Sequence, residues 1–463
     1  MNSIPDEIIL HILDNIENTF DVLNFLSTNK YYHSFINRYK FDRSTNLSEY
    51  FIKNKYIPKN VIGKLNVEIK QKNFNYEYLT ELIKLDINKL NLSNTTISDV
   101  SMLGNCEELN LSHCTNISDF SMLGKVKKLN LSSTNISDVS FLGNCEELNL
   151  SRCYNIEDVS MLGNVKKLNL SYCDNISDVS MLGNCEELDL SHCENISDVS
   201  KLGKVKKLNL SGTYVSDVSM LGNVRKLNLK LTNISDVSML GNCEELNLFY
   251  CKNIVDFSML GNVKKLNLSS TNISDVSMLG NCEELNLSYC ENIRDVSMLG
   301  NVKKLNLAST SVFDVSMLGN CEELDLSACD NIIDFSMLGN VKKLNLSETK
   351  IVDVSMLGNC QELDLTYCYD ISDVSMLGNV KKLNLSGTSV SDVSMLGNCE
   401  ELDLSYCDIS DVSMLGNVKK LKLLDTKISD VSMLVNVNTR WDYFLYYLKY
   451  RKYFWCFKFF IYE

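Results

Sequence analysis

From Leu90 to Leu421 the apolar residues recur in one fixed order, and that order returns every 19 or 20 residues. One unit, residues 188–207, reads L-D-L-S-H-C-E-N-I-S-D-V-S-K-L-G-K-V-K-K. Leu188 and Leu190 alternate with polar Asp189 and Ser191, the two-residue period of a strand with one buried face. Cys193 and Ile196 then turn inward. Asp198 is placed to N-cap a short helical or irregular return through Val199 and Leu202, and Gly203 leads into the next unit. One unit cannot bury its own leucines, whereas stacked units bury a continuous core. The pattern therefore predicts a solenoid of about eighteen coils over residues 89–436, with parallel strands about 4.8 Å apart.

The chain outside the repeats has a different texture. In residues 1–38, Ile8, Ile9, Ile12 and Ile16 follow helical spacing after Ser3 and Pro5. Val22, Phe25 and Leu26 suggest a second short helix, and Tyr32, Phe35 and Ile36 a third. Residues 39–88 read as a linker and N-terminal cap, with a degenerate first coil at Leu65-Asn-Val. Residues 437–463 read as an aromatic C-terminal cap or tail. Its Lys449, Arg451, Lys452 and Lys458 interrupt any apolar span, which argues against a transmembrane helix.

Composition narrows the function. The net charge of -14 argues against nucleic acid as a partner, because phosphate contacts need clustered Lys and Arg. No basic, apolar leader follows Met1, so the chain is expected in the cytoplasm or nucleus. Cys106, Cys145 and Cys185 share their slot with Val126, Val165 and Val205, and Cys114, Cys153 and Cys193 share theirs with Thr134, Thr213 and Thr271. Positions that accept Val or Thr are compact interior positions, so the thiols are read as core, ahead of metal or disulfide chemistry. The four histidines lack a repeated partner, and no catalytic, cofactor or metal site is assigned. Glu107-Glu108 and Lys127-Lys128 alternate along the coils with few breaks, which favours register rather than recognition.

One column varies. Two residues after the second strand Leu stand His113, Arg152, Tyr172, Gly212, Tyr250, Tyr289, Glu348, Tyr367 and Tyr406. The tyrosines at 172, 250, 289, 367 and 406 either line a partner surface or shield the strand ends.

Two resemblances follow from these residues. Ser3-Ile-Pro-Asp-Glu-Ile-Ile-Leu-His-Ile-Leu and Asp21-Val-Leu-Asn-Phe-Leu-Ser-Thr-Asn-Lys-Tyr-Tyr resemble an F-box: Ile4-Pro5 matches the Leu-Pro opening, Glu7 the acidic residue, and Lys30 with Tyr32 the closing segment. L-x-L-S-x-C-x-N-I resembles the Cys-containing leucine-rich repeats that commonly follow an F-box. Together they imply an α/β solenoid, a leucine-rich-repeat horseshoe with its parallel sheet on the concave face, preceded by a three-helix F-box-like segment. They further imply a substrate-recognition adaptor, with Ile4, Pro5, Glu7, Ile8 and Ile12 docking on the Skp-type adaptor of an SCF ubiquitin ligase and the solenoid holding a protein substrate. The alternative is an interaction scaffold that recruits no ligase. In style the chain resembles repeat proteins of large DNA viruses of amoebae, which would place it in an infected host cell.

Overall fold

The computed structural model describes residues 65–68, 87–428, 430–434 and 438–439. The three helices expected in residues 1–38, and the tail beyond Thr439, lie outside the described residues. The chain divides into two compact units between Asn228 and Leu229.

In the first unit β1 (Leu65–Glu68) pairs in parallel with β2 (Ile87–Asn91), with a register shift after Leu65. β3 (Glu108–Asn110), β4 (Lys128–Asn130) and their successors to β9 (Lys226–Asn228) continue the parallel ladder. The second unit repeats the arrangement from β10 (Glu245–Asn247) to β19 (Lys420–Lys422), with β20 (Asn438–Thr439) beside it. Each strand is short, and from β2 to β9 and from β10 to β19 its inward Leu faces that of the next, as Leu109 faces Leu129 and Leu266 faces Leu285. A one-residue slip would turn every such Leu to solvent, so burial fixes the register.

The interior is built from columns, one residue per coil. Leu188, Leu190, Cys193, Ile196, Val199, Leu202 and Val205 are all buried, as their pattern predicts. The return is a single 3₁₀ turn in most coils, such as Ser140–Leu142, from which only the Leu is buried. Three residues per turn suits a segment with one inward side chain and no room for a longer helix.

Two local expectations change. Asp138 does not occupy the N-cap position, which Val139 holds; instead Asp138 Oδ1 accepts the amide of Ser140, the first helical residue, at 2.9 Å. The carboxylate therefore closes a side-chain turn one residue ahead of the helix, and satisfies the amide of its first residue instead of the second or third that an N-cap would reach. Gly143 stands in the slot of Gly203, from which the chain leads into the next coil, and its φ of -62° is open to any residue. Its constraint is proximity: a Cβ there would stand 2.3 Å from the carbonyl oxygen of Met161 on the next coil.

Within the interior slot that Cys and Thr share, the two side chains bond differently. Thr134 Oγ1 donates to Leu131 O of its own coil at 2.7 Å, whereas Cys153 Sγ donates to Leu131 O of the preceding coil at 3.1 Å. Several Cys coils carry one more residue after this slot than the Thr134 coil does, and there a backbone bond closes the turn, as where the Ile156 amide donates to Cys153 O at 3.3 Å.

Candidate functional site

The strand ends when Asn169 Oδ1 accepts the amide of Ser171 at 2.9 Å, a side-chain turn that bends the chain out of the ladder. The next residue, Tyr172, has a φ of 60°, in the left-handed region. Its amide donates to Ser191 O on the following coil at 2.9 Å, and Cys173 then turns back to donate to Leu170 O at 3.2 Å. The same conformation recurs from Asn94 to Gly212 in the first unit and from Leu231 to Asp425 in the second. This is the variable column of the sequence. Left-handed backbone costs a non-glycine residue roughly 1–2 kcal/mol, and here the cost is accepted at coil after coil by residues as different as Arg152, Tyr172, Ala328 and Glu348.

In the first unit the column forms a stack over three coils. The Arg152 guanidinium lies 4.8 Å from the Tyr172 ring centroid, and the Tyr172 and His192 rings are 4.5 Å apart at 11°. The stack ends at Gly212, where a Cβ would stand 2.5 Å from His192 Nδ1. A cation, a phenol and an imidazole thus share one partly exposed face, an arrangement suited to a planar or acidic partner group.

The second unit carries the other four tyrosines, and it does not gather them. Ser270 separates Tyr250 from Tyr289, and Gly387 separates Tyr367 from Tyr406. Lys252 Nζ lies 4.4 Å from the Tyr250 ring, and Tyr367 tilts against Tyr369 at 6.1 Å. All four are exposed. The tyrosine pattern alone does not point to Arg152 and His192, although both stand in the same column; the stack joins them to Tyr172. Ile4, Pro5, Glu7, Ile8 and Ile12 lie outside the described residues.

The remaining chemistry is structural. Burial pushes the Cys106 thiol up to about 11 and those of Cys173 and Cys193 up to about 12, which keeps them protonated and unreactive. Lys128 bridges Glu108 at 3.7 Å and Glu147 at 3.4 Å, so the charge rows do interleave. They break once in the first unit, where Lys207 faces Lys226. Among the described residues no three His, Cys, Asp or Glu side chains converge to hold a metal, and no helix is long and apolar enough to cross a membrane.

A family model described as Leucine Rich repeat matches residues 400–415. The TLR13–ssRNA13 complex is similar in structure at 21% identity, with 84% of this chain and 69% of that chain covered and a TM-score of 0.51. An LRR protein of Leptospira interrogans aligns at 20% identity over 80% of this chain and 99% of its own, with a TM-score of 0.49. An internalin of Listeria monocytogenes aligns at 25% identity over 61% and 81%, with a TM-score of 0.42. No curated protein matches the chain. The repeat, its parallel ladder and the first of these likenesses define the class as a leucine-rich-repeat solenoid.

Proposed function

We propose that the chain is a protein-binding scaffold without enzymatic activity, and that it recognises its partner through the left-handed column. One observation carries this reading: the repeat holds the backbone of that column constant while its side chains differ from coil to coil. A purely structural turn has no use for Arg, Tyr and His there, since Gly or Asn fits the conformation at lower cost. Exposed aromatic and Arg side chains supply much of the binding energy at protein interfaces. The test replaces Tyr250 and Tyr289 by Ser, and in a second variant Arg152, Tyr172 and His192 by Ser. Partner retention on the immobilised chain is expected to fall at least tenfold, with the melting temperature unchanged. A lowered melting temperature with the partner retained would make these side chains structural.

A finer reading is the SCF adaptor, with a head at residues 1–38, a linker and cap at 39–88 and a cap or tail at 437–463. What supports it is the match of Ile4-Pro5 and Glu7 to the opening of an F-box. Mixing the full chain with a purified Skp-type adaptor tests it directly. Binding that disappears when Ile4 and Pro5 become Lys is the expected result. Absence of binding, or binding indifferent to those changes, leaves the scaffold without a ligase.

A further inference from the structure

The residue before the Asp of each return is Ser in Ser235, Ser274, Ser372, Ser391 and Ser410 of the second unit. On three successive coils it is Phe313, Ile333 and Val352, which are 57%, 93% and 63% exposed. The fold does not require this, because its own Ser occupies the site elsewhere. Met317 and Met337, four residues on, are also exposed and extend the apolar surface. Beside each apolar residue stands an exposed carboxylate, Asp314, Asp334 and Asp353, fixed in place by the amides of Ser316, Ser336 and Ser355 at 2.8–2.9 Å. Those amides hold each carboxyl below its ordinary range, so the row stays negative at any physiological pH.

We infer that Phe313, Ile333 and Val352 form a docking ridge for the apolar face of a basic amphipathic helix supplied by another protein. The charge argument selects a basic partner, since three fixed carboxylates border the ridge. The spacing argument selects a helix. At the strand spacing of about 4.8 Å per coil, carried over to the returns, the outer two ridge residues lie about 10 Å from one another. Apolar residues at i and i+7 of a helix are about 10.5 Å apart, with i+3 or i+4 between them. Alternate side chains of an extended strand would span about 13 Å over three positions and lose the match. Val255 is equally exposed but stands alone, and offers no such ladder. The ridge is independent of the left-handed column, and either can fail without the other.

The probe is a fluorescein-labelled synthetic helix of about 18 residues, with Leu at i, i+3, i+4 and i+7 and Lys elsewhere. Fluorescence anisotropy with the full chain is expected to show binding that weakens at least tenfold in F313S/I333S/V352S, with the melting temperature unchanged. Those substitutions restore the residue that the repeat itself uses, so folding is retained. D314N/D334N/D353N, which keeps the side-chain acceptor, is expected to weaken binding severalfold and flatten its salt dependence. Four results would overturn the proposal: no binding, equal binding by the Ser variant, equal binding by a Leu/Glu helix, or a lowered melting temperature of the Ser variant. Self-association of the wild-type chain that the Ser variant abolishes would also overturn it, in favour of a second copy as occupant.

Discussion

Ala328 isolates the energetics of the variable column. Its φ is 53°, and its amide donates to Ser347 O at 2.9 Å. Its methyl group brings no aromatic ring or charge to the surface, so it bears the left-handed cost without the recognition that Tyr or Arg would bring. Replacing it by Gly keeps the backbone bond and removes the clash of Cβ with the backbone. The usual entropic penalty of Gly opposes this, at roughly 0.5–1 kcal/mol against roughly 1–2 kcal/mol of relief. A328G is therefore expected to raise the urea midpoint by an amount equivalent to a few tenths to 1 kcal/mol. A lower midpoint would mean that the left-handed conformation is not strained here, and the energetic case for selecting Tyr and Arg in this column would weaken. Tyr172→Gly adds the loss of two stacking partners, Arg152 and His192, and should not show the gain.

The coil depends on close approach as much as on apolar burial, and Gly143 and Gly212 show the difference. A Cβ on Gly143 meets the backbone oxygen of Met161 at 2.3 Å, and a backbone carbonyl cannot swing aside. G143A is expected to cost about 1–3 kcal/mol, the ordinary range for overpacking, although the residue's φ suits Ala. A Cβ on Gly212 meets the His192 ring, which can rotate away, leaving mainly the roughly 1–2 kcal/mol of left-handed strain. Thermal melting of both variants checks the ranking, and a milder effect at Gly143 than at Gly212 would contradict it. The contrast also marks how far the sequence could be read. Leu188, Leu190, Cys193, Ile196 and Leu202 announce their burial by period, because each column depends on the unit's own phase. Gly143 does not announce its role, because the atom it must avoid belongs to the next coil. The left-handed column was half legible: Gly212, Gly387, Asn94 and Asp425 are residues that favour that conformation, but the tyrosines among them conceal it. Phe313, Ile333 and Val352 depart from the Ser of the repeat, yet only their exposure distinguishes a surface ridge from core.

At the scale of the molecule, the exposed Asp row and the buried thiols set how stability varies with pH. The Asp row, as at Asp119, Asp138, Asp158 and Asp178, is held below the usual 3.8 by the amides and hydroxyls of the following Ser, although Asp158 and Asp198 push Asp178 the other way. Because the folded chain depresses these groups, their contribution is present above about pH 4 and is lost as the pH falls through the lower folded values. The thiols act at the other end. Cys106, Cys173 and Cys193 are raised from 9.0 to between about 11 and about 12, so the unfolded chain releases their protons first and stability declines above pH 9. Lys128, Lys265 and Lys382, raised above 10.5 by their Glu partners, lose their contribution in the same direction at still higher pH. The melting temperature is therefore expected to be level between about pH 5 and 8 and to fall on both sides. Asn in place of Asp138, Asp158 and Asp178 keeps the acceptor for Ser140, Ser160 and Ser180 but cannot titrate. D138N/D158N/D178N should therefore melt with a shallower acid limb than the wild type and an unchanged alkaline one. If the acid limbs coincide, acid unfolding is governed elsewhere, and the Glu side of the charge ladder becomes the next place to look.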